Sequence, residues 1–374
     1  MSIHVVCLDG TNQTKNQSCP TNVSLLFDTL GGALQGADEG SFERQDGAAG
    51  LYGKYLPGVG AIGFPALRIL GNLFGDGIAE PIVRGYTFLS RMYKAGDTVI
   101  IIGFSRGATA ARALAGWVVS HGLLDPARYD VTDKDNAYRR AIAAWYRYRK
   151  GQPDLANQER LRFIGTLLGQ LPTLTDTDFV PPIDVAAVGV FDTVSSLGLP
   201  HLDAQGQAVF DFSICDTHLD PKVRSGFHAL AADETRDLFS PTLWVARDNV
   251  VQQLFPGAHS DVGGGYAERG LSDAALAWMA GQLNGVAKVF DLSRLTHPLG
   301  GNPLAPAHDD STVFPFFATP RRSRMFPHAI QLSDVLMDRY GRPVAILPGS
   351  SNEKYSPKAR YADGSELLPP LASP

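Results

Sequence analysis

Only three cysteines, Cys7, Cys19 and Cys215, occur in 374 residues, too few and too scattered for a disulfide framework or a zinc site. No apolar run is long enough to span a bilayer. The N-terminal Met1-Ser2-Ile3-His4 lacks the basic n-region and apolar h-region of a secretory signal. A cytoplasmic protein is therefore expected, with export by a signal-independent secretion system left open. Charged residues make up 19% of the chain and the formal charge is −5, which gives no reason to expect nucleic acid as a partner. Internal repeats and linker-like stretches are also lacking. What remains is 44% hydrophobic, enough for a substantial core. One domain over residues 1–374 is expected, with a helical insertion at 125–175 and an irregular, proline-rich C-terminal elaboration at 285–374.

The most informative segment is Val99-Ile100-Ile101-Ile102-Gly103-Phe104-Ser105-Arg106-Gly107-Ala108. Its branched apolar run suits a central strand of a parallel sheet, covered on both faces. The run enters G-x-S-x-G, and small residues from Ala108 to Trp117 then read as a helix. Strand, tight turn and helix in that order make a nucleophile elbow, with Gly103 and Gly107 where side chains would clash. Such a turn holds the Ser105 hydroxyl clear of the sheet and aims the Arg106 amide where an oxyanion would form. Further strands are expected at His4–Leu8, Tyr52–Leu56, Ile183–Phe191 and Val250–Phe255. Helices are expected at Ile82–Tyr93, Tyr138–Lys150, Leu161–Leu171, Lys222–Leu238 and Leu271–Leu283. The Arg-rich face of the Tyr138–Lys150 helix is read as solvated surface, with transient contact to anionic headgroups as the alternative.

A serine nucleophile needs a base within hydrogen-bond reach and an acid to orient that base. In α/β hydrolases the chain order is Ser, acid, His, each on a loop at the carboxyl edge of the sheet. Asp192 directly ends the apolar Ile183–Phe191 run and fits the acid; a helix cap or turn aspartate is its structural alternative. Asp184, Asp233 and Asp248 are rivals with poorer placement. His259 follows a strand in a glycine-rich loop and fits the base, with His228 and His328 as rivals. Asp261 is expected to tether the His259 loop, leaving cation binding there open.

The Asp9-Gly10-Thr11 turn after the first strand is the candidate for the second oxyanion donor, through the Gly10 or Thr11 amide, with Asp9 organising the loop. Gly58-Val59-Gly60-Ala61-Ile62-Gly63 matches G-x-G-x-x-G, but Pro57 and Pro65 crowd it and no strand–helix unit surrounds it, so no dinucleotide is expected. Neither a metal nor an organic cofactor is expected. The apolar, glycine-rich residues 58–77 suit an acyl-chain groove or a lid, and core packing explains them equally well.

Taken together, LDGT at 8–11, GFSRGATAAR at 103–112, GVFDTVSSLG at 189–198 and FPGAHSDVGGGY at 255–266 resemble a bacterial and fungal α/β-hydrolase family. That family includes the type VI secretion phospholipase effectors. YLPGVG at 55–60, FGDGI at 74–78 and LSDAALAWM at 271–279 extend the likeness over roughly residues 4 to 283. The resemblance implies a mostly parallel sheet with helices on both faces and a helical cap. It implies Ser105, Asp192 and His259 as the triad, carboxylic-ester hydrolysis, and a lipid or small-molecule ester as substrate. It further implies a secretion spike or an immunity protein as partner. A carboxylesterase or thioesterase on non-lipid esters, and a non-catalytic interaction module, are the alternatives.

Overall fold

A computed structural model describes residues 1–37, 40–58, 78–130, 132–150, 171–194, 201–202, 208–209, 217–296, 299–309, 320–346 and 350–370. Its main elements begin with strand β1 (Ile3–Leu8), helix α1 (Asn22–Thr29), strands β2 (Ala33–Gly36), β3 (Phe42–Asp46) and β4 (Leu51–Leu56). Helix α2 (Ala79–Met92), strand β5 (Thr98–Phe104) and helices α3 (Arg106–His121) and α4 (Lys134–Lys150) follow. Then come strands β6 (Ala187–Phe191), β7 (Gly226–Ala231) and β8 (Val250–Phe255) and helices α5 (His259–Gly263) and α6 (Gly270–Val286). Strand β9 (Gln331–Leu332) and helix α7 (Asp334–Arg339) lie in the C-terminal region.

Among the described residues these strands form one sheet in the order β9-β8-β7-β6-β5-β1-β4-β3-β2. Pairing is parallel from β9 through β4. It is antiparallel only at the β4-β3-β2 edge. The apolar runs of β1 and β5 follow from this position. Val6, Leu8, Val99 and Ile101 face one core with residues of α2, α3 and α4. Val5, Cys7, Ile100, Ile102 and Phe104 face the other with residues of α1 and α6. With helices on both faces, every side chain of a central strand is buried, so the run reads as continuous rather than alternating. Because the parallel strands share a direction, their carboxyl ends deliver Asp9, Ser105, Asp192 and the His259 loop to one edge of the sheet.

Lys222–Leu238, expected as a helix, instead contains β7. Gly226–Ala231 is buried along its whole length, paired to β6 on one side and β8 on the other. A short apolar run does not distinguish a buried strand from a helix by periodicity, and here the open slot in the sheet decides. The α1 helix and the β2–β3 hairpin have no counterpart in the expectations drawn from sequence. α4 buries Tyr138, Ala141, Ile142, Trp145 and Tyr148 in the core shared with α2 and α3, with the Trp117 and Trp145 rings edge to face at 5.1 Å. Residues 151–170 of the expected insertion, residues 59–77 and Cys215 lie outside the described residues. Among the described residues no helix is long and apolar enough to cross a membrane.

Candidate active site

Ser105 is the residue between β5 and α3, with φ 57° and ψ −124°. A positive φ costs a non-glycine residue on the order of 1–3 kcal/mol and persists only where the surroundings impose it. They do so here. A Cβ on Gly103 would lie 2.3 Å from the Gly107 carbonyl oxygen, and one on Gly107 would lie 2.3 Å from the backbone oxygens of both Leu8 and Asp9. The Ser105 amide donates to Phe191 O at 3.1 Å, and its own carbonyl accepts from Ala108 and Thr109. The turn is thereby locked between β1, β6 and the first turn of α3, and Arg106 opens that helix directly after the serine.

Asp192 ends β6, also at positive φ (40°), and is fully buried. Its Oδ2 receives His259 Nδ1 at 2.5 Å and its Oδ1 receives the Ala231 amide at 3.0 Å. Arg324 grips both oxygens, Nη1 to Oδ1 at 2.7 Å and Nη2 to Oδ2 at 3.0 Å. Burial alone would push the Asp192 carboxyl up. The Arg324 guanidinium first, and then His259, outweigh it and hold the carboxyl below the usual carboxylate range. His259 opens the short helix α5 rather than lying in an open loop. Its ring packs against Phe104 at 4.7 Å and meets Phe239 edge-on at 4.9 Å, and its amide donates to Glu234 Oε2. With Nδ1 on Asp192, the other ring nitrogen, Nε2, is buried without a hydrogen-bond partner. No hydrogen bond therefore joins it to Ser105 in this structure.

The β1 turn is built around Asp9. Its Oδ1 accepts the Gly10 amide at 2.8 Å, and its Oδ2 accepts Thr21 Oγ1 at 2.8 Å and Tyr55 Oη at 2.6 Å. Burial pushes this carboxyl up to about 6 against those hydrogen bonds. The arrangement corrects one expectation: the Gly10 amide is committed to Asp9 and is not free for an oxyanion. Gly10 instead permits close approach, since a Cβ there would lie 2.9 Å from the Phe104 ring and 3.4 Å from Ser105 Cβ. Thr11 remains, and its hydroxyl accepts from Arg106 Nε, tying this turn to the elbow. Asp261 holds the α5 turn from inside. Its Oδ2 accepts the amides of Ala258 and His308, both at 2.9 Å, and its Oδ1 meets His308 Nδ1 at 2.6 Å.

The rivals His228, His328, Asp184 and Asp233 are committed to other partners. His228 is buried on β7, and its Nε2 accepts the Thr193 amide at 3.1 Å. Burial, and next the charge of Arg112, lower it to about 3, so it stays neutral. His328 is exposed and paired with Asp363. Asp184 is an exposed partner of Arg224, and Asp233 is committed to Gly257, Tyr355 and Lys358. Sequence reasoning missed Arg324, Glu234 and Phe239, and nothing local to the Arg321-Arg322-Ser323-Arg324 run singles out one arginine. It also missed Thr21 and Asn22, where the signal existed: Thr21 caps α1 by accepting the Ser24 amide. Asn22 Nδ2 bridges Val262 O and Ser272 O, both at 2.8 Å. Among the described residues no cluster of three or more His, Cys, Asp or Glu side chains could hold a metal ion.

Comparison with known proteins adds a family. Residues 3–282 match the one described as "T6SS, Phospholipase effector Tle1-like, catalytic domain". The uncharacterized protein YEL023C of Saccharomyces cerevisiae is 26% identical over 208 residues, which cover 52% of this chain and 27% of that protein. Among solved structures, an uncharacterized protein from Pseudomonas aeruginosa is 17% identical with a TM-score of 0.39, covering 79% of this chain and 48% of that one. The Tle1 effector bound to the VgrG spike of the type 6 secretion system is 20% identical with a TM-score of 0.37, covering 72% and 52%. The chain thus spans 27% of the curated relative and about half of each solved chain. Since the matched span takes in most of the sequence, including the strands that carry Ser105, Asp192 and His259, the chain belongs to the Tle1-like family of type VI phospholipase-effector catalytic domains.

Proposed function

We propose that the chain is a serine esterase of the phospholipase type, with an α/β-hydrolase-like architecture, that works by acyl transfer to Ser105. His259, held by Asp192 with Nε2 unpartnered and its ring packed on Phe104, the residue before the strained Ser105, is the observation that carries this reading. Catalytic hydrogen bonds are often open in a substrate-free site and tighten when substrate binds. In the first step Ser105 Oγ attacks the ester carbonyl carbon while His259 Nε2 takes its proton. The tetrahedral oxyanion lies against the Arg106 amide and the Thr11 amide. Collapse breaks the bond to the leaving alcohol, which receives the proton from His259 and leaves an acyl-serine. Water then attacks the acyl group, His259 takes and returns a proton again, and the carboxylic acid departs. Asp192 keeps the imidazole in the tautomer that presents Nε2 and stabilises the imidazolium.

Family membership supports a phospholipid as the ester and delivery by a type VI machine. Incubating the wild type and Ser105→Ala with phosphatidylethanolamine–phosphatidylglycerol vesicles and with a short-chain ester tests the scheme. Fatty acid released from vesicles by the wild type alone is the expected result. Serine-dependent cleavage of the short ester alone keeps the chemistry and removes the phospholipid assignment. Equal activity in the two proteins overturns the proposal.

A further inference from the structure

Asp192 serves two side-chain donors. Besides His259, the guanidinium of Arg324 lies in a fork across both carboxylate oxygens, and the side chains of Arg324 and Asp192 are 4% and 0% exposed. The same guanidinium donates to Ala231 O at 2.9 Å and to Phe239 O. It therefore gathers the end of β6, the end of β7 and the loop that sets Phe239 on the His259 ring. Arg324 lies outside residues 3–282, the span that matches the family.

The acid of a Ser-His-Asp triad orients the imidazole and offsets its charge when it is protonated. A guanidinium, which stays protonated, bound to that same acid withdraws part of the negative charge the imidazole would otherwise meet. Among the described residues, the other charged and titratable groups closest to the pair have partners of their own. Glu234, after β7, accepts the His259 amide at 3.3 Å and is itself bound by Arg236 at 2.6 Å. His228 on β7 takes the Thr193 amide, and Arg112 of α3 donates to Thr242 O. Arg324 alone among these side chains touches the Asp192 carboxylate together with His259. We propose that Arg324 is a positioning residue that restrains the basicity of His259 by sharing Asp192, so that a segment outside the family-matched span completes the active site. This rests on the assignment of Asp192 and His259 as acid and base.

The direct test is the NMR titration of the His259 ring in histidine-labelled Ser105→Ala protein, with and without Arg324→Gln, the signal being assigned by its absence in His259→Asn. Arg324→Gln should raise the His259 midpoint by about one pH unit. In the active enzyme the acid limb of the kcat/KM–pH profile should move up by the same amount, and most of the lost activity should return at high pH. A purely structural arginine would lower kcat/KM by one factor at every pH and leave the midpoint in place, which would overturn the proposal. Arg324→Lys keeps the charge and should leave the midpoint at the wild-type value; a rise equal to that of Arg324→Gln would also overturn it. Arg324→Met, neutral and of similar length, replaces Arg324→Gln should the latter not unfold cooperatively, and is judged by the same midpoint. The two readings fail separately. Loss of all serine-dependent hydrolysis in the wild type sinks the esterase reading, whereas an unmoved midpoint with intact hydrolysis sinks only the role of Arg324.

Discussion

Gly107→Ala isolates how tightly the Ser105 elbow is wedged against β1. A Cβ at this position would stand 2.3 Å from Leu8 O and from Asp9 O, both backbone atoms that cannot swing aside. Restoring ordinary contact moves the start of α3 away from the β1 turn by about 1 Å, a displacement on the order of 10²-fold in rate when it falls on reacting groups. Ser105, two residues upstream and held to Phe191 O, moves with it. Overpacking of this kind costs about 1–3 kcal/mol of stability. Gly281→Ala is the matched control, because it lies in α6 and a Cβ there meets nothing within 4 Å. Alanine stabilises an exposed helix interior by up to about 1 kcal/mol relative to glycine. That gain is largely common to both variants, so the difference in their urea-unfolding free energies reports the clash. Kinetics on a soluble short-chain ester give the second readout. A Gly107→Ala protein as stable as Gly281→Ala, with kcat/KM within about threefold of wild type, would refute the wedge and the geometry derived from it.

Asp192→Asn should lower kcat by about 10⁴ with little change in KM, because the amide selects the wrong imidazole tautomer. The same substitution strands the buried Arg324 charge, so thermal unfolding should show a lower Tm than wild type. Asp9, raised by burial to about 6, binds its proton more tightly folded than unfolded. Between pH 4 and 6 the folded state then holds more protons, so this group's contribution to stability falls as pH rises, by on the order of 3 kcal/mol in all. Urea unfolding across that range should show the decline in the wild type minus Asp9→Asn difference, and a flat difference would remove Asp9 as its source.

The parts of the site that follow from local patterns were legible in the sequence. Val99 to Phe104 reads as a buried strand because its neighbours in the sheet are buried too, and Gly103 and Gly107 flank the serine for reasons visible within five residues. Asp192 follows from the same logic, since it comes directly after an apolar run, and His259 lies in the glycine-containing segment after another strand. Legibility fails where partners meet across the chain. Nothing near Gly10 shows that its amide turns onto the Asp9 side chain, because the carboxylate is fixed by Thr21 and Tyr55 from two other elements. Gly226–Ala231 fails for a related reason. Its strand character comes from the gap between β6 and β8, which no window of the sequence contains.

The C-terminal region reads as an irregular, proline-rich elaboration, and its contacts explain why so loose a sequence is held in place. Three adjacent parallel strands, β6, β7 and β8, are each followed by a buried aspartate: Asp192, Asp233 and Asp261. Each takes part of its hydrogen bonding from nearby amides at the sheet edge: Ala231, Gly257 and Ala258 in turn. A buried carboxylate needs more donors than one loop provides, and an unsatisfied one is costly. In every case the distant segment adds further partners, at Asp192 alongside His259. Arg324 reaches Asp192, Tyr355 and the Lys358 amide reach Asp233, and His308 reaches Asp261 through ring and amide. The chain after α6 is thus pinned to the edge that carries Ser105 by these polar groups as well as by apolar contacts of Phe326, Ile330, Leu336, Ala359 and Leu367 with Leu230, Ala232 and Leu254, which are too scattered along the sequence to give a hydrophobic periodicity. It also follows that the environment of the Asp192–His259 pair is set jointly by the family-matched span and by residues beyond it. Variation in that C-terminal segment is therefore a route to altered activity that leaves Ser105, Asp192 and His259 untouched.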